Sequence, residues 1–143
     1  MSVNQISVFL ENRKGQLAEI TTLLADKGIN LRAISIAETA DYGLLRIIVD
    51  DADKASSALL SNGNIITMTP VVVVGVPDEP AGLAQLLSLL SDSDIDIQYM
   101  YSLFTHANGK AYMVFRVEDE MSFTAHLASH NIAFATKEEL GLK

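Results

Sequence analysis

The sequence predicts an α+β protein made of two consecutive copies of one unit, ordered strand, helix, strand, strand, helix, strand. Three observations carry that class. The chain matches itself at a fixed spacing, its hydrophobic period switches between strand and helix values in the same order in each copy, and Gly, Pro, Asn or Asp marks most switches.

The repeat comes first because it organises everything else. A displacement of 66 residues, the interval from Leu17 to Leu83, aligns residues 8–36 with 74–102 without a gap. It superposes Val8 on Val74, Ala18 on Ala84, Leu23 on Leu89, Leu24 on Leu90, Asp26 on Asp92 and Ile29 on Ile95. Similar residues fill the frame: Asn12 with Asp78, Ile20 with Leu86, Thr22 with Ser88, and Asn30 with Asp96. The second copy then gains two residues around 106–110, so that Val49-Asp50-Asp51 meets Val117-Glu118-Asp119 at a spacing of 68.

In the first copy, residues 5–10 carry Ile, Val and Phe in weak alternation and predict a strand, followed by a turn over 12–15. Leu17, Ile20, Leu23 and Leu24 recur at helical spacing over residues 16–27, and Gly28 stands where a left-handed C-terminal cap belongs. Residues 30–37 alternate, Asp41-Tyr42-Gly43 turns the chain, and residues 44–49 return as the next strand. Ala52, Ala55, Ala58 and Leu59 mark a second helix ended by Gly63, and residues 65–69 close the unit before Pro70. The second copy repeats the order over 71–76, 82–91, 96–104, 110–117, 121–130 and 132–136.

Each half is thus a split βαβ unit, the ferredoxin-like arrangement, with antiparallel sheets and helices on one face. The expected modules are residues 1–69 and 70–143, and Pro70 leaves almost no linker between them. Cores this small, with bare sheet edges, gain by pairing those edges with each other or with a second chain, so a homodimer is expected.

Composition narrows the function classes. A formal charge of −8 over 143 residues offers no basic stripe to release counterions, which argues against nucleic acid and anionic lipid as partners. Apolar runs such as Val71 to Val74 are far below the roughly 20 residues of a membrane helix. No basic segment leads an apolar one at Met1, which makes a cytoplasmic home the expectation. The absence of cysteine removes disulfides, thiolate nucleophiles and cysteine-based metal sites.

The segment Asn12-Arg13-Lys14-Gly15-Gln16-Leu17 and its counterpart Asp78-Glu79-Pro80-Ala81-Gly82-Leu83 read as strand end, amide or acidic residue, turn, then helix. That pattern resembles the ligand loop of ACT domains, and the whole chain resembles a tandem ACT protein. The resemblance implies a regulatory protein, an allosteric sensor that binds a free amino acid at the interface between ACT modules, with no cofactor and no catalysis. It implies a ligand set of Asn12, Lys14, Gly15, Gln16 and Leu17, with Asp78, Ala81, Gly82 and Leu83 in the second copy. Asn30, Leu31, Asp96 and Ile97, opening the strand after each first helix, are implied beside a neighbouring module's loop. Lys14 replaces the Pro and Ala81 the Gly that the pattern prefers, which favours the first loop as the better site. Independently of any family, a helix start presents unpaired N–H groups and a positive dipole end to a carboxylate, and Asn12 or Asp78 suits an ammonium. Ordinary turn chemistry explains the same Asn and Asp residues without a ligand.

Other signals point away from chemistry. Asp92-Ser93-Asp94-Ile95-Asp96 imitates a calcium loop, but Ile97 takes the required Gly position and Leu103 the bidentate Glu position. His126 and His130 lie four apart on a helix with no third metal ligand near in sequence. Asp50-Asp51-Asp53 and Glu118-Asp119-Glu120 sit where helices begin and complement their dipoles. Tyr99, Tyr101 and Phe104 read as strand packing or as the wall of a pocket. No Ser-His-Asp order, phosphate loop or zinc signature is present, so an enzyme is not expected. The competing expectation is a ligand-free interaction module of the same fold; a sensor without an effector domain must act through its own association or on a separate metabolic enzyme.

Overall fold

The structure, a computed structural model, describes residues 2–11, 13–38 and 41–143, and gives no side-chain description at 105–107. The chain forms two compact units. The first gathers Asn4–Thr69 with Gly141–Lys143, and the second gathers Pro70–Leu140 with Met1–Val3.

In the first unit, β1 (Val3–Leu10), β2 (Leu31–Glu38) and β3 (Gly43–Val49) form an antiparallel sheet with β3 between the other two. The amide of Phe9 donates to the Ile65 carbonyl at 2.9 Å, which sets the start of β4 (Ile66–Pro77) beside β1. Two helices, α1 (Gln16–Asp26) and α2 (Ala52–Ser61), contribute Ile20, Leu24, Ala55 and Leu59 to a core completed by Ile6, Val8, Leu45, Ile47 and Val49. The strand residues alternate because successive side chains point to opposite faces. Helix α1 stops where the sequence predicts: Gly28 adopts φ +69°, its amide bonds Ala25, and the Ile29 amide reaches back to Leu24 at 2.9 Å.

The second unit repeats the pattern with β4, β6 (Lys110–Val117) and β5 (Ile97–Ala107), β6 lying between the other two. Helices α3 (Gly82–Ser91) and α4 (Glu120–Ser129) cover Val72, Val74, Val76, Phe115 and Val117 with Leu86, Leu90, Phe123 and Leu127. The rings of Phe115 and Phe123 pack at 5.4 Å between centroids.

Three local expectations fail for identifiable reasons. Pro70 does not end a strand: β4 runs through it, and its carbonyl accepts a hydrogen bond from Arg116 at 3.2 Å. Proline's fixed φ suits extended backbone wherever its missing N–H is not needed by a ladder. The closing strand expected over 132–136 shrinks to one bridge, Val74 with Phe134, and a 2.7 Å bond from the Ala135 amide to the Val73 carbonyl. An unforeseen last turn, α5 (Lys137–Leu140), follows it, capped by Thr136, whose hydroxyl oxygen accepts from the Glu139 amide. In α1 the buried stripe is Gln16, Ile20 and Leu24, while Leu17, which shares the helical spacing of the apolar residues, is 38% exposed.

Candidate functional site

The ends of three strands and the start of one helix meet at one side of the first unit. Gly43 lies opposite both Leu10 of β1 and Glu38 of β2, so the loop from Leu10 to α1 overhangs that end of the sheet. An open cleft of about 470 Å³ results, lined by Glu11, Arg13, Lys14, Gly15 and Gln16 on the loop side and by Leu10, Leu17, Ile36, Glu38, Tyr42 and Gly43 on the other.

The helix start facing this cleft is left open. Gly15, at φ +84°, precedes α1, and no side chain among the described residues caps it. By contrast Asp51 accepts the Lys54 amide at 3.1 Å at the start of α2, and Asp119 accepts the Ser122 amide at 3.1 Å at the start of α4. The amides of residues 16–18 have no helical acceptor, as in every α-helix, and they carry the positive end of the dipole. Gly15 is required because few other residues adopt its conformation, and an added Cβ would meet nothing within 4 Å.

The charges around the cleft are unequally committed. Arg13 bonds Glu19 at 3.0 Å and lies 3.6 Å from Glu11. The hydrogen bond and charge of Arg13 hold the Glu19 carboxyl below its ordinary range, and the guanidinium rises in return. Lys14 and Glu38 make no ion pair among the described residues. Gln16 is only 6% exposed, yet its Oε1 finds no donor among the described residues. An acceptor left so costs about 1–3 kcal/mol. Opposite, Tyr42 stacks on Phe9 with centroids 5.0 Å apart.

The second loop is built from equivalent residues but closed by its own backbone. The Asp78 amide donates to the Gly109 carbonyl at 2.8 Å, the Glu79 amide to Pro77 at 2.9 Å, and the Gly82 amide to Glu79 at 3.0 Å. Gly82 is pressed so closely on the Pro77 carbonyl that a Cβ has no room. The two residues by which this copy is longer fall at the turn formed by Asn108 and Gly109, both at positive φ. That turn is what reaches Asp78. Ala81, at φ −88°, needs no glycine, and Leu83 is half-buried in the first turn of α3.

Of the remaining candidates, Asn12 lies outside the described residues. Asn30 is fixed by Asp50, which accepts its amide at 3.0 Å and returns its own amide to the Asn30 carbonyl at 3.1 Å. Leu31 pairs with Val49 at the far end of β2 from Ile36, so the first unit does not bring Asn30 or Leu31 to the cleft. Asp96 lines a second, acidic cleft of about 540 Å³ with Asp94, Glu118, Asp119 and His126, next to Ile97 at the start of β5. There Asp119 is occupied as a cap: the Ser122 hydroxyl, at 2.7 Å, and the Ser122 amide hold its carboxyl below the ordinary value. His126 Nε2 bonds the Leu89 carbonyl at 2.9 Å, joining α4 to α3, and its ring meets His130 at 4.9 Å. Among the described residues no three His, Asp or Glu side chains are placed to hold a metal ion, and no helix is long and apolar enough to cross a membrane. Tyr99 and Tyr101 stack along β5 at 6.4 Å.

Sequence reasoning missed Ile36, Glu38 and Tyr42 as cleft residues. Their only signal is the hairpin register that sets Glu38 opposite Gly43, and a short turn does not declare its register from composition alone.

Comparison with known proteins places the chain in context. The family model described as ACT domain pair matches residues 1–142. A crystal structure of a Bacteroides thetaiotaomicron protein is 39% identical, with a TM-score of 0.89 over 99% of this chain and 96% of that one. The ligand-free regulatory subunit of aspartate kinase from Thermus thermophilus shares the fold at 18% identity and a TM-score of 0.62, covering 88% of this chain and 91% of that one. The acetolactate synthase small subunit of Aquifex aeolicus (strain VF5) is 40% identical over 45 residues, which are 32% of this chain and 23% of that relative's length.

Proposed function

The chain belongs to the ACT domain pair family, and from that premise we propose that it is a non-catalytic regulatory sensor binding a free amino acid in the cleft at the start of α1. The observation that carries this reading is an uncapped helix start on an open cleft whose lining includes Gln16, a buried residue with its amide oxygen unpartnered among the described residues. The ligand carboxylate lies on the amides of residues 16–18 beside Lys14, and its ammonium is taken by Gln16, with Glu38 at the margin; Asn12, outside the described residues, is the sequence's candidate for the same group. The second loop, its Gly82 amide already bonded to Glu79, serves structure.

In this reading residues 1–69 and 70–143 are the two ACT modules, and the protein works in the cytoplasm as a homodimer. A second copy brings Asn30 and Leu31 to the cleft from outside. The signal passes through that association or to a separate metabolic enzyme, a role supported by relatives that are themselves regulatory or small subunits of enzymes. A thermal-shift series with the common amino acids tests it. A ligand at 100 times its Kd stabilises the protein by about 2.7 kcal/mol, which moves the midpoint by several degrees in modules this small. Failure of every amino acid at millimolar concentration to shift the midpoint refutes the sensor and leaves the ligand-free interaction module.

A further inference from the structure

We infer that the amino acid held in the α1 cleft has a neutral, apolar side chain, read by Gln16 at its ammonium group and by Leu17, Ile36 and Tyr42 along its side chain. This rests on the reading that the cleft binds an amino acid, and goes further by naming which class.

The first turn of α1 inverts the usual amphipathic order. An amphipathic helix turns apolar residues inward and polar ones outward. Here Gln16 is 6% exposed and Leu17 beside it is 38% exposed. One and two turns on, the same helix obeys the rule, with Ile20 and Leu24 fully buried. A local violation confined to the turn facing a cleft is where a functional demand is expected to override packing. The buried amide then offers its oxygen to an N–H donor, and the outward leucine offers apolar surface to whatever the cleft holds.

That surface is extended by the sheet. Ile36 is 50% and Tyr42 41% exposed, and both line the same cleft as Leu17. The tyrosine ring is held by its stack on Phe9, so it presents a fixed face. Scattered exposed apolar residues need no explanation, but three that converge on one concave site mark a ligand surface.

The charges complete the selection. Arg13 is engaged by Glu19 and Glu11 and is not available for an acidic side chain, which would also meet Glu11 and Glu38. Lys14 stands beside the helix amides and is matched to the α-carboxylate. A cationic side chain would have to lose its hydration against Leu17, Ile36 and Tyr42.

Isothermal titration calorimetry on the full chain tests the inference with glycine, leucine, phenylalanine, aspartate, lysine and N-acetyl-leucine. Leucine or phenylalanine should bind at least ~10-fold more tightly than glycine, because burial of such a side chain supplies that factor or more. Aspartate and lysine should fall with glycine. Ile36→Ser should weaken leucine by a larger factor than glycine. Blocking the ammonium in N-acetyl-leucine should cost the wild type ~10-fold or more, and Gln16→Met should narrow that ratio. If aspartate or lysine binds as tightly as leucine, the apolar class is wrong while the sensor stands. If Gln16→Met folds and keeps the full discrimination against N-acetyl-leucine, Gln16 does not read the ammonium. If no amino acid binds, this inference and the proposed function fall together.

Discussion

Substituting Ala for Gly82 and for Gly15, one at a time, separates a glycine kept for space from one kept for conformation. At Gly82 the new methyl would be built into the Pro77 carbonyl oxygen and would stand 3.0 Å from its carbon. The carbonyl belongs to the backbone and cannot rotate away cheaply, so the loop must move. That movement overpacks the site at a cost of about 1–2 kcal/mol. It also breaks the bonds from Glu79 to Pro77 and from Asp78 to Gly109, at about 1 kcal/mol each. The expected loss is therefore about 3–4 kcal/mol. At Gly15 nothing lies within 4 Å of a new Cβ, and only the left-handed backbone at φ +84° is penalised, by about 1–2 kcal/mol. Guanidinium unfolding followed by circular dichroism reads both as shifts in midpoint at constant slope. Gly82→Ala should lower the melting temperature by more than ~10 °C and Gly15→Ala by roughly half that. A Gly82→Ala protein as stable as wild type, or a Gly15→Ala protein that is the more damaged of the two, would refute the assignment of the second loop as sealed and the first as open.

Two further outcomes are expected from titrating groups. Asp119→Ala should lower the melting temperature through loss of the α4 cap. Because the folded carboxyl lies below its ordinary value of 3.8, its contribution is complete above that pH and is lost as pH falls through the lower folded value. Acid unfolding of Asp119→Asn, which keeps an acceptor without the charge, should lack this component; an unchanged acid limb counts against the cap. Tyr112 behaves oppositely: burial first, then the Glu139 carboxylate 3.1 Å away, raises its hydroxyl above the ordinary 10.0. Its contribution is present below pH 10.0 and is lost as pH rises through the folded value. Tyr112→Phe should cost about 1 kcal/mol at neutral pH and flatten the alkaline decline in stability, and an alkaline limb identical to wild type would exclude the hydroxyl as its source.

Most of the architecture was legible because the repeat supplies each weak local signal twice. The amphipathic turn of residues 16–26 and that of 82–91 support one another at the 66-residue spacing, and Gly28 ends α1 by the bonding that its position predicts. What was not legible depends on contacts that no local pattern encodes. Residues 132–136 are rich enough in apolar side chains to read as a strand, yet only Phe134 and Ala135 find partners on β4. Pro70 reads as a stop because a central ladder would need its N–H, and the strand passes through it where that donor is not required. In the site, the loop around Gly15, with Leu17, was visible from its motif, but the sheet side of the apolar wall was not. Ile36 and Tyr42 enter only through the register of β2 against β3.

The valines of β4 have a consequence for how the fold stores its address. Four in succession, Val71 to Val74, say strand without saying which side is which, since a slip of one place exchanges valine for valine on both faces. The message is disambiguated by the missing side chain at Gly75. That residue lies opposite Tyr112, and a Cβ there would stand 3.1 Å from the tyrosine ring and from the Lys110 side chain. A slipped strand would drive Val74 or Val76 into the ring and leave a void where a methyl group belonged. One absent carbon thus acts as the punctuation mark that lets an otherwise repetitive word be read in a single frame.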